Sequence, residues 1–191
     1  MRRIDLSDAA FLYAEKRETP MHVGGVSLYT LPDDVDELDF TEALQLGPTG
    51  AKDLRRPFGE FVSTGRAGPV GPMYWEEDDH FDLDYHFRHS ALPKPGRYRE
   101  LFALVSRLHS TLLDRSRPLW ELHVIEGLQN RQFAVYMKMH HAAIDGVASM
   151  QLAQSICSAD PSSRCYDFPM TQTAYKRHLD AMGAGQKRRI V

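Results

Sequence analysis

Two runs of strand-forming residues, "LWELHVIE" (119–126) and "RQFAVYMKMHH" (131–141), are separated only by "GLQN". A spacing that short, with a glycine in it, predicts a β-hairpin. Side chains alternate across a sheet, so Phe133, Val135, Met137, Met139 and His141 share one face. Ala134, Tyr136, Lys138 and His140 share the other. The two adjacent histidines therefore point in opposite directions. At most one of them can reach a given substrate, and the other must serve the protein. Just upstream, "RYRELFALVSRLHSTLLDRS" places Leu101, Leu104, Val105, Leu108 and Leu112 at helical spacing. These make one apolar stripe, and Pro118 bars the helix from continuing. A helix of that kind beside a hairpin predicts an α/β or α+β layered domain.

The remaining elements are weaker in outline. "SDAAFLYAEKRE" reads as a short helix with Ser7 as N-cap. "HVGGVSLYTL" reads as a strand stopped by Pro32, with Val26, Leu28 and Thr30 on one face. "LDFTEALQL" is a helix ended at Gly47. From Gly47 to Pro72 six glycines and four prolines predict loop, with one strand at "GEFVS". "FDLDYHFRHSALPKPG" is strand-like before a turn at Pro93–Gly96. A second amphipathic helix is expected from Gly146, with Val147, Met150 and Ile156 inward. After Ala159 the chain becomes polar and reads as linker with no core of its own.

The 191 residues suit one domain, or one large piece of a bigger protein, and the chain is 42% hydrophobic. Lys and Arg number 23 against 26 Asp and Glu, which gives no electrostatic case for nucleic acid. No segment approaches the roughly 18 apolar residues of a spanning helix. Cys157 and Cys165 lack metal-like spacing, so reduced thiols and a cytoplasmic setting are expected.

The chemistry concentrates in "HHAAIDG", His140 to Gly146. A metal site needs three ligands converging, and opposite faces argue against it. A nucleophilic triad needs a serine or cysteine, and Ser149 in "GVASM" is not an elbow serine. General-base work suits an imidazole near neutral pH. Purely structural roles for both histidines are the ordinary alternative.

"HHAAIDG" also matches HHxxxDG, the signature of a coenzyme-A-dependent acyltransferase superfamily. "DAAFLYAEKRETPMHVGGVSLY", "FDLDYHFRHSALPKPG" and "LVSRLHSTLLDRSRPLWELHVIEGL" narrow the likeness. Over residues 5 to 160 the chain resembles the bacterial wax ester synthase/diacylglycerol acyltransferases. The resemblance implies a chloramphenicol-acetyltransferase-like, two-layer α/β domain, a mixed sheet with flanking helices. That would be one half of a two-domain enzyme, with residues 1–160 carrying the motif and 161–191 beginning the interdomain linker. It implies acyl transfer from acyl-coenzyme A to a long-chain alcohol or diacylglycerol, with no cofactor, no metal and no nucleic acid. His141 would be the general base, and His140, Asp145 and Gly146 would support it. Asp145 would form an ion pair with an arginine, for which Arg115 and Arg117 are the candidates. Gly146 would let the backbone turn close to the reacting centre. Pro118, Leu119 and Trp120 would belong to the substrate site, against an equal reading of Trp120 as a core aromatic. A C-terminal half-domain would be the protein partner. The oily substrates imply peripheral association with the inner membrane surface or lipid inclusions. Two alternatives share the motif or the fold: an inactive half that binds lipid or a partner chain, and a peptide-condensation-like domain.

Overall fold

The computed structural model describes residues 1–45, 53–65, 68, 71–156, 168 and 170–188. The two cysteines lie outside them. The order is β1 (Arg2–Arg3), α1 (Leu6–Ala14), β2 (His22–Thr30), α2 (Glu37–Gln45), β3 (Glu60–Ser63), β4 (Tyr74–Glu77), α3 (Leu83–His86) and β5 (Phe87–Ala91). Then come α4 (Tyr98–Ser110), β6 (Trp120–Glu126), β7 (Gln132–His140), α5 (Gly146–Ile156) and α6 (Gln172–Arg188). The main sheet runs β2-β7-β6-β5, and a small sheet runs β1-β4-β3. The predicted hairpin is β6–β7. β2 pairs antiparallel with β7 over its whole length, and β5 joins β6 in parallel. This mixed sheet with flanking helices is the expected α/β class.

Alternation sorts the two faces of the main sheet. Ile125, Ala134 and Tyr136 lie against α4 through Leu101, Leu104, Val105 and Leu108, the helical stripe. Trp120, Leu122, Val124 and Met139 on the opposite face pack with Phe58, Leu152, Phe168 and Met170. Polar groups also sit beneath α4. Lys138 is fully buried, and its ammonium donates to the carbonyls of Leu108 (2.9 Å) and Thr111 (2.6 Å). α4 ends at Ser110, well short of Pro118, and these are carbonyls that such a helix C-terminus leaves without partners. Gly24 lets β2 pass beneath this layer: a Cβ there would meet His109 Nδ1 at 2.9 Å and the Tyr136 ring at 3.0 Å.

Four local expectations change. α1 starts at Leu6 with Asp5 as its N-cap residue, so Ser7 lies inside the helix. The first part of "FDLDYHFRHSA" is one helical turn, started by Asp82, whose carboxylate accepts from the Asp84 N–H at 3.1 Å. In α5, Met150 faces solvent while Ala148 and Leu152 meet the core; the side chains of Val147 and Ile156 lie outside the described residues. The polar tail holds helix α6, and Phe168 and Met170 before it fill the main core.

Candidate functional site

The paired histidines close β7 and occupy unlike surroundings. His140 is fully buried. Its backbone N–H donates to Leu119 O at 3.0 Å, and it stands opposite His22 in the β2 register. Its Nδ1 accepts the Ala142 N–H at 3.1 Å. An accepting Nδ1 carries no proton, so in the neutral ring the proton sits on Nε2. Nε2 faces the buried Glu15 carboxylate at 3.4 Å. Burial pushes the His140 pKa down to about 4, with Glu15 opposing that shift and Arg115, His22 and His141 reinforcing it. His140 is thus neutral near pH 7, with both nitrogens turned toward protein atoms.

His141 follows the strand end. Its backbone N–H donates to Met21 O at 2.8 Å, which extends the β2–β7 pairing by one residue. Its side chain is partly exposed, and its ring stacks on Phe11 of α1 with centroids 4.1 Å apart and planes 21° apart. No hydrogen bond from either ring nitrogen forms among the described residues. The two rings thus have unlike surroundings, although β7 ends at His140 and His141 lies just beyond the strand.

Asp145 behaves differently from the expectation. Its Oδ1 accepts the Ala148 N–H at 2.7 Å, and its carbonyl accepts the Ser149 N–H at 2.9 Å. That is an N-cap on α5. Neither candidate arginine pairs with it. Arg115 binds Glu15 (3.0 Å) and the Leu12 carbonyl, and Arg117 lies 4.0 Å from Asp82 and over the Tyr85 ring at 4.2 Å. A carboxylate spent on a helix N-terminus leaves the arginines to other acids. Gly146 opens α5 without a positive φ, and a Cβ there would meet nothing within 4 Å. The tight glycine turn expected at Asp145-Gly146 is therefore a helix start.

Pro118, Leu119 and Trp120 are all buried. Leu119 belongs to a core with Ile4, Leu12, Trp75 and Ala142. Trp120 donates its indole N–H to Phe58 O at 2.8 Å and stacks with His86 at 4.5 Å. The segment backs the motif directly, through Leu119 O to His140 and the Trp120–Met139 pair. Met137 and Met139, on the face expected for His141, pack into the main core.

Sequence reasoning missed Phe11 and Glu15. They are four residues apart on α1 and its C-cap, so they share a helix face. That spacing was visible, but nothing in it says that a glutamate will be buried against a histidine. No group of three or more His, Cys, Asp or Glu among the described residues could hold a metal ion. No helix among them is long and apolar enough to cross a membrane.

The wax ester synthase/diacylglycerol acyltransferase catalytic domain matches residues 4–191. A probable diacylglycerol O-acyltransferase of Mycobacterium tuberculosis is 51% identical over 158 residues, which is 81% of this chain and 34% of that protein. The O-acyltransferase WSD of Acinetobacter baylyi is 42% identical over 171 residues, 86% of this chain and 34% of its own length. The solved wax ester synthase/diacylglycerol acyltransferase of Marinobacter aquaeolei VT8 superposes with a TM-score of 0.79 at 39% identity, covering 91% of this chain and 41% of that one. A condensation domain of the CDA synthetase shares the fold alone, with a TM-score of 0.55 at 19% identity. The chain thus spans about a third of the length of the curated relatives it matches. It belongs to the wax ester synthase/diacylglycerol acyltransferase catalytic-domain family.

Proposed function

We propose that this chain carries the catalytic-base portion of an acyl-coenzyme A-dependent O-acyltransferase. The acceptor is a long-chain alcohol or a diacylglycerol, and the product a wax ester or triacylglycerol. His141 takes the proton of the acceptor hydroxyl as its oxygen attacks the thioester carbonyl. The carbon–sulfur bond then breaks, and the His141 imidazolium returns the proton to the coenzyme A thiolate. The ester and free coenzyme A leave, and no acyl group is attached to the protein. One observation supports this reading: His140 is fully buried, with Nδ1 accepting the Ala142 N–H and Nε2 facing the Glu15 carboxylate, whereas the His141 ring is partly exposed and neither of its nitrogens has a hydrogen-bond partner among the described residues. A base in hydrogen-bond reach of its substrate contributes about a hundredfold or more to such a step.

The names of the relatives support acyl transfer, and the substrates come from them by analogy. A remaining half-domain facing His141 would complete the acyl and acceptor pockets, and the oily substrates favour work at a lipid surface.

A second reading, a binding module without turnover, draws on β2. This edge strand exposes Val23, Val26 and Leu28. The test is ester formation from palmitoyl-coenzyme A with hexadecanol or a diacylglycerol, by the chain alone and mixed with the remaining portion of a full-length relative. Acyl transfer predicts ester in at least the mixture; the binding module predicts none in either.

A further inference from the structure

We infer that Phe11 is a positioning residue that fixes the plane of the His141 imidazole, and that α1 exists at this site to present it; the catalytic consequence rests on the acyltransferase reading above.

α1 is tied to the residues on both sides of His141. On the N-terminal side, the Glu15 carboxylate at its C-cap faces His140 Nε2 at 3.4 Å. The same carboxylate accepts from the Met21 N–H at 3.2 Å and from Arg115 at 3.0 and 3.3 Å. Arg115 also donates to the Leu12 carbonyl, clamping the last turn of the helix. On the C-terminal side, Ala9 and Leu12 pack in the core that contains Ala142. The helix therefore cannot shift without disturbing His140 and Ala142 together.

Phe11 projects from this fixed helix onto the face of His141, partly buried against the same core. The His141 backbone is already held by Met21 O. What remains free is rotation of the ring, and that torsion is broad and roughly two-fold for histidine. Stacking on Phe11 selects one ring plane, and the His141 side chain stays partly exposed. A base acts only within a narrow range of distance and direction from the proton it takes. The aromatic plane thus supplies orientation to a ring that has no hydrogen bond among the described residues to orient it.

Two variants and two readouts test this. Phe11→Leu keeps an apolar side chain against the core but removes the plane, and Phe11→Tyr restores the plane. Histidine-edited NMR of the 191-residue chain, with His141→Ala for assignment, reads the stack without turnover. The His141 ring protons should be shifted upfield by the Phe11 ring current, lose that shift in Phe11→Leu and recover it in Phe11→Tyr. In the ester assay, Phe11→Leu should lower kcat by roughly tenfold or more with KM little changed, and Phe11→Tyr should return most of it. Unshifted His141 protons in the unaltered chain would overturn the inference, as would an unchanged kcat in Phe11→Leu. An intact ring-current shift in a chain that makes no ester would count against the acyltransferase reading and leave the stack standing.

Discussion

His140 and Asp145 show how much one side chain's partner decides. The His140 pKa is held down to about 4 because burial disfavours its charged ring, and the nearby Arg115 guanidinium adds to that. The unfolded chain would take up that proton near pH 6.5. Between these values the unfolded state binds more protons, so stability rises with pH and is lost as pH falls. About 3 kcal/mol should be lost as pH drops from about 6.5 to about 4, and the lowered pKa values of buried His22 and His86 act in the same direction. Urea unfolding across that range checks it. His140→Asn should flatten the slope, and an unaltered slope would show that the penalty lies elsewhere. Asp145 makes a sharper distinction. Asparagine caps a helix about as well as aspartate, so Asp145→Asn should cost under about 0.5 kcal/mol, and Asp145→Ala about 1 kcal/mol. If Asn is as damaging as Ala in thermal unfolding, charge rather than capping is what Asp145 supplies. The sequence displayed both residues in a recognisable motif. It could not display which arginine had already been taken by Glu15.

Among the elements, the β6–β7 hairpin and α4 follow from periodicity alone, because each carries a repeating apolar pattern over several residues. The polar layer between them does not. Lys138 sits at an alternate strand position that pattern reading would turn toward solvent, yet it is fully buried. It answers a need from another element, the open carbonyls at the end of α4. Burial lowers its pKa, with Glu121 opposing at 3.7 Å. Glu121 is pushed up by burial in turn, but His123, Lys138 and Arg88 together hold it below the ordinary range. Lys138→Met should therefore cost about 3 kcal/mol, since it strands a buried carboxylate and two helix carbonyls. Chemical denaturation measures this. A loss under about 1 kcal/mol would mean that Glu121 is adequately served by His123 and Arg88 alone. α3 was hidden for a related reason: a single turn leaves no periodicity, and only the Asp82 cap marks it.

At the scale of the molecule, the core closes through residues far apart in sequence. Phe58, Trp120, Met139, Phe168 and Met170 meet beneath one face of the main sheet. The tail reads as linker from sequence because its apolar residues, Phe168 and Met170 among them, are scattered between prolines, serines and charged residues. Their burial depends on a cavity that only the assembled sheet provides. Met170, fully buried, should cost about 2–5 kcal/mol on change to Ala, measured by urea unfolding; a cost under about 1 kcal/mol would mean the segment contributes little to the core.

The site sits where this assembly brings α1, the end of β7 and the start of α5 together, and there the proposed work is divided between the two histidines. Ester formation by His141→Ala and His140→Ala, each with its unfolding curve, measures that division most directly. His141→Ala should keep the unfolding midpoint and lose about a hundredfold or more of the ester, whereas His140→Ala should lose stability first. Full ester formation by a folded His141→Ala, or a stable His140→Ala that makes none, would contradict it.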